Sequence, residues 1–231
     1  MGVPMKNNAS IVLKITGRAF DDEPDMLARY ISVFKKLLEK YKMVVVTGGG
    51  RIARRYIDLL RQAGLESNYW LDTIGIWVSR LNAFLLVAAL SPYTYPRPAT
   101  SIEEAVTALG SFKAVIMGGL IPGQSTASVL LQVAEALGVR RVYYYSAVGK
   151  VYTKDPSRYP DAEPLSTITA SELKKMLEQS LLPGEYALID TKALDLAIRS
   201  NITIQVLFYR EPEQLLRALE GENPGTVIIP R

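Results

Sequence analysis

Two glycine-rich stretches carry the clearest chemical signal in the sequence. The first has three consecutive glycines at residues 48–50, placed between an apolar run and the cations Arg51, Arg54 and Arg55. The second, at residues 118–126, joins a pair of glycines to a segment of turn-forming and hydroxyl residues. Glycine lets the backbone approach a ligand closely, and a helix that begins behind such a turn presents unpaired N–H groups to an anion. Both stretches therefore indicate phosphate binding.

The first stretch does not have the spacing of a known nucleotide motif. Residues 48–50 lack the G-x-x-x-x-G-K-[ST] pattern of a P-loop and the G-x-G-x-x-G pattern of a dinucleotide fold. Taken alone, the turn also fits an ordinary strand-to-helix connection in which small residues are convenient. Two turns of the same design in one sheet favour the phosphate interpretation, because each places backbone N–H groups at a helix start.

The composition limits the chemistry that the chain can perform. The 231 residues include no cysteine and no histidine, which excludes disulfides, thiolate catalysis and the commonest general base and zinc ligand. Catalysis must therefore rest on Lys, Arg, Asp and backbone N–H groups. The formal net charge of +4 suits an anionic ligand, but the cations are scattered along the chain, so we expect no nucleic-acid partner.

The sequence predicts neither membrane attachment nor export. A hydrophobic fraction of 48% and a charged fraction of 22% are typical of soluble globular proteins. The longest apolar run, residues 83–90, is too short to cross a bilayer, and residues 1–10 lack the apolar core of a secretory signal. We therefore expect a cytoplasmic protein.

Strand and helix patterns alternate along the chain. Apolar runs predict strands at residues 10–16, 43–46, 114–117, 140–145, 202–208 and 226–229. Apolar residues at helical spacing predict a helix after the glycines at 48–50 and helices at 24–40, 71–90, 102–109, 127–137, 169–181, 190–199 and 212–219. This alternation predicts an α/β fold, a three-layer sandwich with a mainly parallel central sheet. No linker divides residues 1–231, so we predict a single domain.

Two charged residues lie where a ligand is expected. Lys14 interrupts the otherwise apolar strand 10–16. Either that strand lies at a sheet edge with Lys14 in water, or Lys14 lies at the carboxyl end of an inner strand, where open α/β sheets bind ligands; the apolar neighbours favour the second. Asp72 opens the helix 71–90 and either caps it or accepts a hydrogen bond from a ligand hydroxyl. The loop 146–164 is long enough for a lid.

Five segments together resemble a known family. In chain order they read IVLKITG, VVVTGGGRIARRY, WLDTIGIWVSRLNA, VIMGGLIPGQSTAS and VYTKDP. They resemble uridylate (UMP) kinases of the archaeal type, within the amino acid kinase family, and the resemblance extends from about residue 10 to the last strand. It implies transfer of the γ-phosphoryl group of ATP to UMP with Mg²⁺, a step of pyrimidine nucleotide biosynthesis, and assembly into a homo-hexamer.

The resemblance also assigns roles to individual residues. It implies catalytic roles for Lys14 and Arg54. The implied UMP-binding residues are Gly48, Arg54, Asp72, Leu120, Ile121, Pro122, Gly123, Gln124, Ser125 and Thr126. The implied ATP-binding residues are Lys14, Gly17, Arg18, Gly49, Ser146, Tyr152 and Asp155. No protein ligand to a metal is implied, and the chain divides into an acceptor lobe at about 10–145 and an ATP lobe at about 146–231.

The sequence departs from the family pattern on the ATP side. The family commonly reads close to TNVDGVY where this chain has residues 146–152, so Ala147, Gly149 and Lys150 replace an asparagine, an aspartate and a glycine. In addition, Asp195 stands where the family usually has a lysine for the ATP phosphates. A carboxylate at that position would repel phosphate.

These departures leave alternatives open. Lys150 or Lys192 could supply the lost positive charge, which would keep the protein an active kinase. Alternatively, the protein binds nucleotides without catalysis, as a sensor or an oligomeric storage shell. A kinase that forms an acyl or carbamoyl phosphate is disfavoured by Asp72 and the LDTIGIW segment. Because the acceptor-side residues are complete and phosphoryl transfer relies on positioning and charge, we expect an active UMP kinase.

Overall fold

The strands of the computed structural model, which describes residues 10–179 and 189–231, follow the predicted order closely. They are β1 (Ser10–Ile15), β2 (Lys42–Thr47), β3 (Ala114–Met117), β4 (Arg141–Ser146), β5 (Val151–Tyr152), β6 (Pro164–Leu165), β7 (Thr167–Thr169), β8 (Thr203–Phe208) and β9 (Thr226–Ile229). Seven of them form one sheet in the order β3-β2-β1-β4-β8-β9-β7, while β5 and β6 form a separate ribbon. Neighbours in the large sheet pair in parallel except β8 and β9, which confirms a mainly parallel sheet.

Helices connect most of these strands. They are α1 (Pro24–Leu38), α2 (Gly50–Gln62), α3 (Asn68–Leu90), α4 (Ile102–Ser111), α5 (Thr126–Ala136), α6 (Ala170–Gln179), α7 (Thr191–Ser200) and α8 (Gln214–Leu219), with a 3-10 turn at Gly17–Phe20. The start of α6 has a capping box, because the Thr169 hydroxyl and the Glu172 carboxylate each accept the other residue's backbone N–H at 3.0 Å.

The helices cover both faces of the large sheet. Side chains on one face, such as Leu13 and Val45, pack against α1, α3 and α8. Side chains on the other face, such as Val12 and Val46, pack against α4, α5, α6 and α7. Alternate residues of the inner strands therefore enter two apolar cores, as expected for a parallel sheet that is buried on both sides. This arrangement confirms the predicted three-layer α/β sandwich.

Two local predictions need correction, and a third can be compared with the structure only in part. The third helix begins at Asn68 with Ser67 at its N-cap position, so Asp72 lies inside the helix and does not cap it. The segment 146–164 is not a continuous loop, because β5 lies within it and pairs with β6 at its end. The predicted helix 169–181 is described only as far as Gln179. Residues 180–181, like residues 1–9 of the segment inspected for a secretory signal, lie outside the described residues.

The helix α3 is long and apolar. It has 23 residues, and an 18-residue window within it has a mean hydropathy of 1.7, values that a bilayer-crossing helix would have. The prediction concerned uninterrupted apolar runs, of which residues 83–90 are the longest. The helix reaches this length because its apolar pattern continues through polar residues such as Ser79 and Asn82. One face of α3, including Ala83 and Leu86, packs into the core beside the sheet, as in a core helix of a globular fold.

Candidate active site

A cavity opens where the carboxyl ends of β2 and β3 meet α3. Its volume is about 380 Å³. The lining residues are Gly49, Ile57, Asp72, Gly75, Ile76, Ser79, Gly119, Ile121, Gly123, Gln124, Ser125 and Thr126. The structure thus brings together the first glycine turn, Asp72 and most of the second glycine-rich stretch. This edge of a parallel sheet is where α/β proteins bind ligands.

The glycines of the first turn allow three backbone segments to touch. A Cβ atom on Gly17 would overlap the backbone nitrogen of Gly50, and one on Gly48 would lie 2.9 Å from the nitrogen of Gly17. A Cβ on Gly49 would lie 2.6 Å from the Cβ of Ala53. Gly50 also has a φ of +68°, in the left-handed region. Close packing and backbone conformation therefore both require glycine here.

A carboxylate occupies part of the α2 N-terminus that the sequence suggested for phosphate. The backbone N–H of Arg51 donates to Asp21 Oδ2 at 2.5 Å, and its guanidinium donates to the Asp21 carbonyl at 2.6 Å. The guanidinium also lies 3.7 Å from Asp22 Oδ1. Arg51 is therefore ion-paired within the protein. No local pattern predicts this contact, because Asp21 and Arg51 are 30 residues apart.

Arg54 lies away from the 380 Å³ cavity. It is exposed on α2, in a groove of about 340 Å³ lined by Arg51, Arg54, Arg55, Asp58, Leu59 and Gln62. Among the residues that the structure describes, Arg54 forms no hydrogen bond or ion pair. The structure therefore leaves this guanidinium available for an anion but does not bring it to the cavity, and its role stays a prediction.

Lys14 lies in the interior of the sheet and not at an edge. Its strand, β1, pairs with β2 on one side and β4 on the other, which makes the edge-strand alternative wrong. The side chain is only 6% exposed, and Nζ donates to the Tyr144 hydroxyl at 3.3 Å. Lys14 does not line the 380 Å³ cavity. Lys14 immediately precedes Ile15, the last residue of β1. Thr16 and the buried Gly17 follow that strand.

Side chains of α3 hold the second glycine-rich stretch in place. Asp72 Oδ2 accepts the backbone N–H of Gly123 at 2.8 Å, and Ser79 Oγ accepts that of Gly119 at 2.8 Å. Arg80 donates to the carbonyls of Gly119 and Leu120 at 3.0 and 3.1 Å. Sequence reasoning identified Asp72 but missed Ser79 and Arg80, although polar residues within an apolar helix were a visible signal.

The same helix fixes the first glycine turn. Asn82 Nδ2 donates to the carbonyl of Gly48 at 2.8 Å, and the Thr47 hydroxyl donates to the carbonyl of Ser79 at 2.7 Å. Ser79 and Asn82 are only 2% and 4% exposed. One helix therefore sets the distance between both glycine-rich stretches, and Asn82 is a further positioning residue that the sequence analysis missed.

The end of the second stretch connects the cavity to α7. Ser125 Oγ accepts the backbone N–H of Ser128 at 2.9 Å, which caps α5, and donates to Asp190 Oδ2 at 2.5 Å. Asp190 in turn caps α7 by accepting the N–H of Ala193 at 3.0 Å. Gln124 and Thr126 line the cavity beside Ser125, whereas the half-buried Pro122 and Leu120 do not.

Apart from Gly49, the predicted ATP-side residues do not line this cavity. Ser146 ends β4, and its hydroxyl accepts the N–H of Gly149 at 2.8 Å. Tyr152 belongs to β5, and Arg18 lies half-buried in the 3-10 turn. Asp155 accepts two hydrogen bonds from Ser157, which lower the pKa of its carboxyl. Ser146, Tyr152 and Asp155 thus lie at the end of β4 and in the segment after it, Arg18 lies in the turn after β1, and their roles toward ATP stay predictions.

The structure shows what surrounds Gly149 and Asp195, two positions that depart from the family pattern, and Lys192. Gly149 has a φ of +78°, and a Cβ there would lie 2.7 Å from Phe208 Cβ, so an aspartate would be strained. The Asp195 carboxylate pairs with Lys174 at 2.6 Å, which offsets its charge. Lys192 is exposed in a groove of about 330 Å³ that also includes Gly123 and Gln124.

Comparison with known families decides the classification. The model of the amino acid kinase family matches residues 9–207. The chain belongs to the amino acid kinase family. Among curated members of this family, the chain is 51% identical to the uridylate kinase of Staphylothermus marinus, covering 96% of this chain and 99% of that protein. It is 40% identical to the uridylate kinase of Pyrobaculum calidifontis, covering 94% and 99%. The resemblance to archaeal uridylate kinases is therefore confirmed.

Solved structures support the same fold for this member of the amino acid kinase family. The crystal structure of the uridylate kinase from Archaeoglobus fulgidus superposes with a TM-score of 0.84 at 28% identity, covering 94% of this chain and 99% of that chain. The UMP kinase from Bacillus anthracis superposes with a TM-score of 0.80 at 20% identity and covers 96% of each chain. At that identity the second comparison bears on the fold alone, and it agrees with the three-layer architecture.

Proposed function

We propose that this protein transfers the γ-phosphoryl group of ATP to UMP, which gives UDP and ADP for pyrimidine nucleotide biosynthesis. The observation that carries the proposal is 51% identity to an archaeal uridylate kinase over nearly the full length of both proteins. The non-catalytic alternative rested on the altered ATP-side residues, and relatives named for the enzyme do not favour it.

The cavity is the proposed UMP site. Asp72, Gly49, Ile121 and residues 123–126 line it, and Gly48 lies next to Gly49 in the first glycine turn. The Asp72 carboxylate is an acceptor for a ribose hydroxyl, while the Thr126 hydroxyl and nearby backbone N–H groups are donors for oxygen atoms of the nucleotide. The Ser125 hydroxyl donates to Asp190 and thereby positions this end of the loop. Arg54 supplies a cation for the phosphate, in the groove along α2.

ATP is proposed to lie along the carboxyl ends of β1 and β4. Gly17, Arg18 and Gly49 form its phosphate side, and Ser146, Tyr152 and Asp155 lie along the nucleoside side. The Lys14 ammonium, buried between these strands, stabilises charge on the transferring oxygens, a task that needs no covalent intermediate.

Magnesium is proposed to enter with ATP as the MgATP substrate complex. Within residues 10–179 and 189–231, no group of three acidic side chains is arranged to hold a metal ion. Mg²⁺ usually keeps several waters and binds through phosphates with few carboxylates. The acidic content of this site therefore fits a metal that is held mainly by the nucleotide itself.

The proposed active form is a cytoplasmic homo-hexamer. The face of α3 that points away from the sheet carries Trp77, Leu81, Phe84 and Leu85, which are 44–62% exposed. A contiguous apolar face of this kind is costly to leave in water and suits contact with a second copy of the chain. Because the opposite side of the same helix holds the UMP loop, subunit contact and substrate binding would share one helix.

An ADP-release assay tests the proposed activity. We expect turnover with UMP as the acceptor, much slower turnover with CMP and AMP, and none without an acceptor. Absence of ADP release with all three nucleotides would contradict the proposal. In that case, calorimetry that detects tight binding of UMP or UTP without binding of ATP would support the sensor or storage alternative.

A further inference from the structure

The Lys14 ammonium is buried, and the described residues give it no anionic partner. Its side chain is 6% exposed in the middle of the sheet. Within the described part of the chain, Lys14 forms no ion pair with any carboxylate. Removing an ammonium from water is strongly unfavourable unless other groups interact with it. The contacts of Lys14 therefore determine where this charge can lie.

Tyr144 supplies the contacts that the structure gives to this ammonium. Lys14 and Tyr144 are direct partners in the register of β1 and β4, and both side chains point to the same face of the sheet. Nζ lies 4.3 Å from the centre of the Tyr144 ring and 3.3 Å from its hydroxyl oxygen. The ring therefore attracts the cation through its π face while the hydroxyl accepts a hydrogen bond.

A tyrosine at this position differs from a carboxylate in one useful way. A carboxylate would neutralise the ammonium, whereas an aromatic ring and a neutral hydroxyl hold it and leave its full positive charge. An incoming polyphosphate then meets an uncompensated cation at the carboxyl edge of the sheet. Preorganised charge of this kind is what phosphoryl transfer requires.

We propose that Tyr144 is a positioning residue that holds the Lys14 ammonium, with its charge undiminished, for the transferring phosphoryl group. This inference rests on the proposed kinase activity and adds a residue that the family pattern did not bring to notice. Tyr144 acts through Lys14 and is not proposed to contact the substrate.

Tyr143 provides a matched control for this proposal. It is the preceding residue of the same strand, has the same 6% exposure, and points to the opposite core. A purely structural role in filling the core would be shared by Tyr143 and Tyr144. A role through Lys14 would belong to Tyr144 and not to Tyr143, because Tyr144 is the one of these two tyrosines that contacts Nζ.

The kinetic test compares Tyr144→Phe, Tyr144→Leu and Tyr143→Phe. We expect kcat to fall about fivefold when the hydroxyl is lost and at least about thirtyfold when the ring is lost as well, with KM for UMP and ATP within about twofold. Tyr143→Phe should retain kcat within about twofold, and the melting temperatures of both Phe variants should agree. Unchanged kcat in the Tyr144 variants, or an equal loss in Tyr143→Phe, would overturn the proposal.

A second measurement does not depend on enzyme activity. The methylene protons next to Lys14 Nζ should resonate upfield of those of exposed lysines, because they lie near the Tyr144 ring; Lys14→Arg identifies their signal. The shift should persist in Tyr144→Phe and disappear in Tyr144→Leu, and its absence from the native protein would overturn the proposed placement. A native protein that has the shift but transfers no phosphoryl group to UMP would instead refute the proposed function.

Discussion

The Asp72 carboxylate accepts a hydrogen bond from the backbone N–H of Gly123 at 2.8 Å, although the two residues are 51 positions apart. The bond joins α3 to the tip of the loop that leads into α5. Asp72 is exposed to solvent and lines the 380 Å³ cavity, so its second oxygen is available to a ligand. One carboxylate thus fixes the shape of the proposed UMP site and offers an acceptor inside it.

Replacement of Asp72 should weaken UMP binding more than it slows turnover. We expect Asp72→Ala to raise KM for UMP at least about tenfold, because it removes both a charge-assisted hydrogen bond to the loop and an acceptor for the ligand. Asp72→Asn keeps one acceptor and should have a smaller effect. Steady-state kinetics measures both, with Asp25→Ala on α1 as the control; an unchanged KM in Asp72→Ala would remove Asp72 from the site.

Removal of the Lys14 charge should abolish most activity without unfolding the protein. We expect Lys14→Ala and Lys14→Met to lower kcat at least about a hundredfold, as loss of a charge that stabilises the transition state does. Lys14→Met should also keep or raise the melting temperature, because it replaces a buried unpaired ammonium with an apolar chain of similar length. A near-native kcat in Lys14→Met would mean that Lys14 has no role in transfer.

The contact between Gly17 and Gly50 should tolerate no side chain. In Gly17→Ala, the new Cβ would overlap backbone atoms of the first glycine turn, so we expect a loss of about 2–3 kcal/mol in the free energy of unfolding. Gly110→Ala in α4 is the control, since no atom lies within 4 Å of its Cβ position. That change should raise stability by about 0.5–1 kcal/mol. Urea unfolding measures the stability of both variants. Equal changes in the free energy of unfolding would contradict the close approach of Gly17 to Gly50.

Glu104 should make stability depend on pH in the acidic range. Burial raises the pKa of its carboxyl, but hydrogen bonds from the backbone and hydroxyl of Thr100 and from Tyr95, with the Arg97 charge, outweigh burial and lower the pKa to about 2. Because the folded-state pKa lies below the unfolded value, this stabilisation is present above about pH 4.3 and is lost as the pH falls towards 2.

A pair of variants tests this dependence. Glu104→Gln should destabilise the protein by about 2 kcal/mol at pH 7, and its difference from the native protein should shrink between about pH 4.3 and 2. Glu103→Gln, the exposed neighbour in the same helical turn, is the control and should change stability by less than about 0.5 kcal/mol. Urea unfolding at several pH values measures these differences. If the difference in stability between Glu104→Gln and the native protein does not vary with pH, the lowered pKa of Glu104 is refuted.

The exposed face of α3 should govern assembly. We expect the native protein to have the mass of a hexamer by light scattering, and Leu81→Glu to give a smaller species, because a carboxylate would be buried at the subunit contact. Tyr159→Glu changes an exposed aromatic residue outside α3 and should leave the mass unaltered. A monomeric native protein, or an unchanged mass in Leu81→Glu, would contradict the proposed contact.

The elements of the fold could be predicted because their signals are local. Apolar runs such as 43–46 and 114–117 marked the inner strands, and helical spacing marked α1 and α5 within a few residues. The two-residue strands β5 and β6 could not be predicted, since so few residues carry no periodicity. The start of α3 was misjudged because Asp72 resembles a cap, while the actual helix begins four residues earlier.

The sequence by itself determined the α/β class, the absence of histidine and cysteine chemistry, and the two glycine-rich turns, because each depends on residue types or on neighbours along the chain. Only the tertiary structure decided which partner each charged side chain contacts within the protein. Asp21 accepts the N–H of Arg51, the second residue of α2, from 30 residues away, and Tyr144 contacts Lys14 from 130 residues away. Such pairs arise from strand order and helix placement, and no local pattern encodes them.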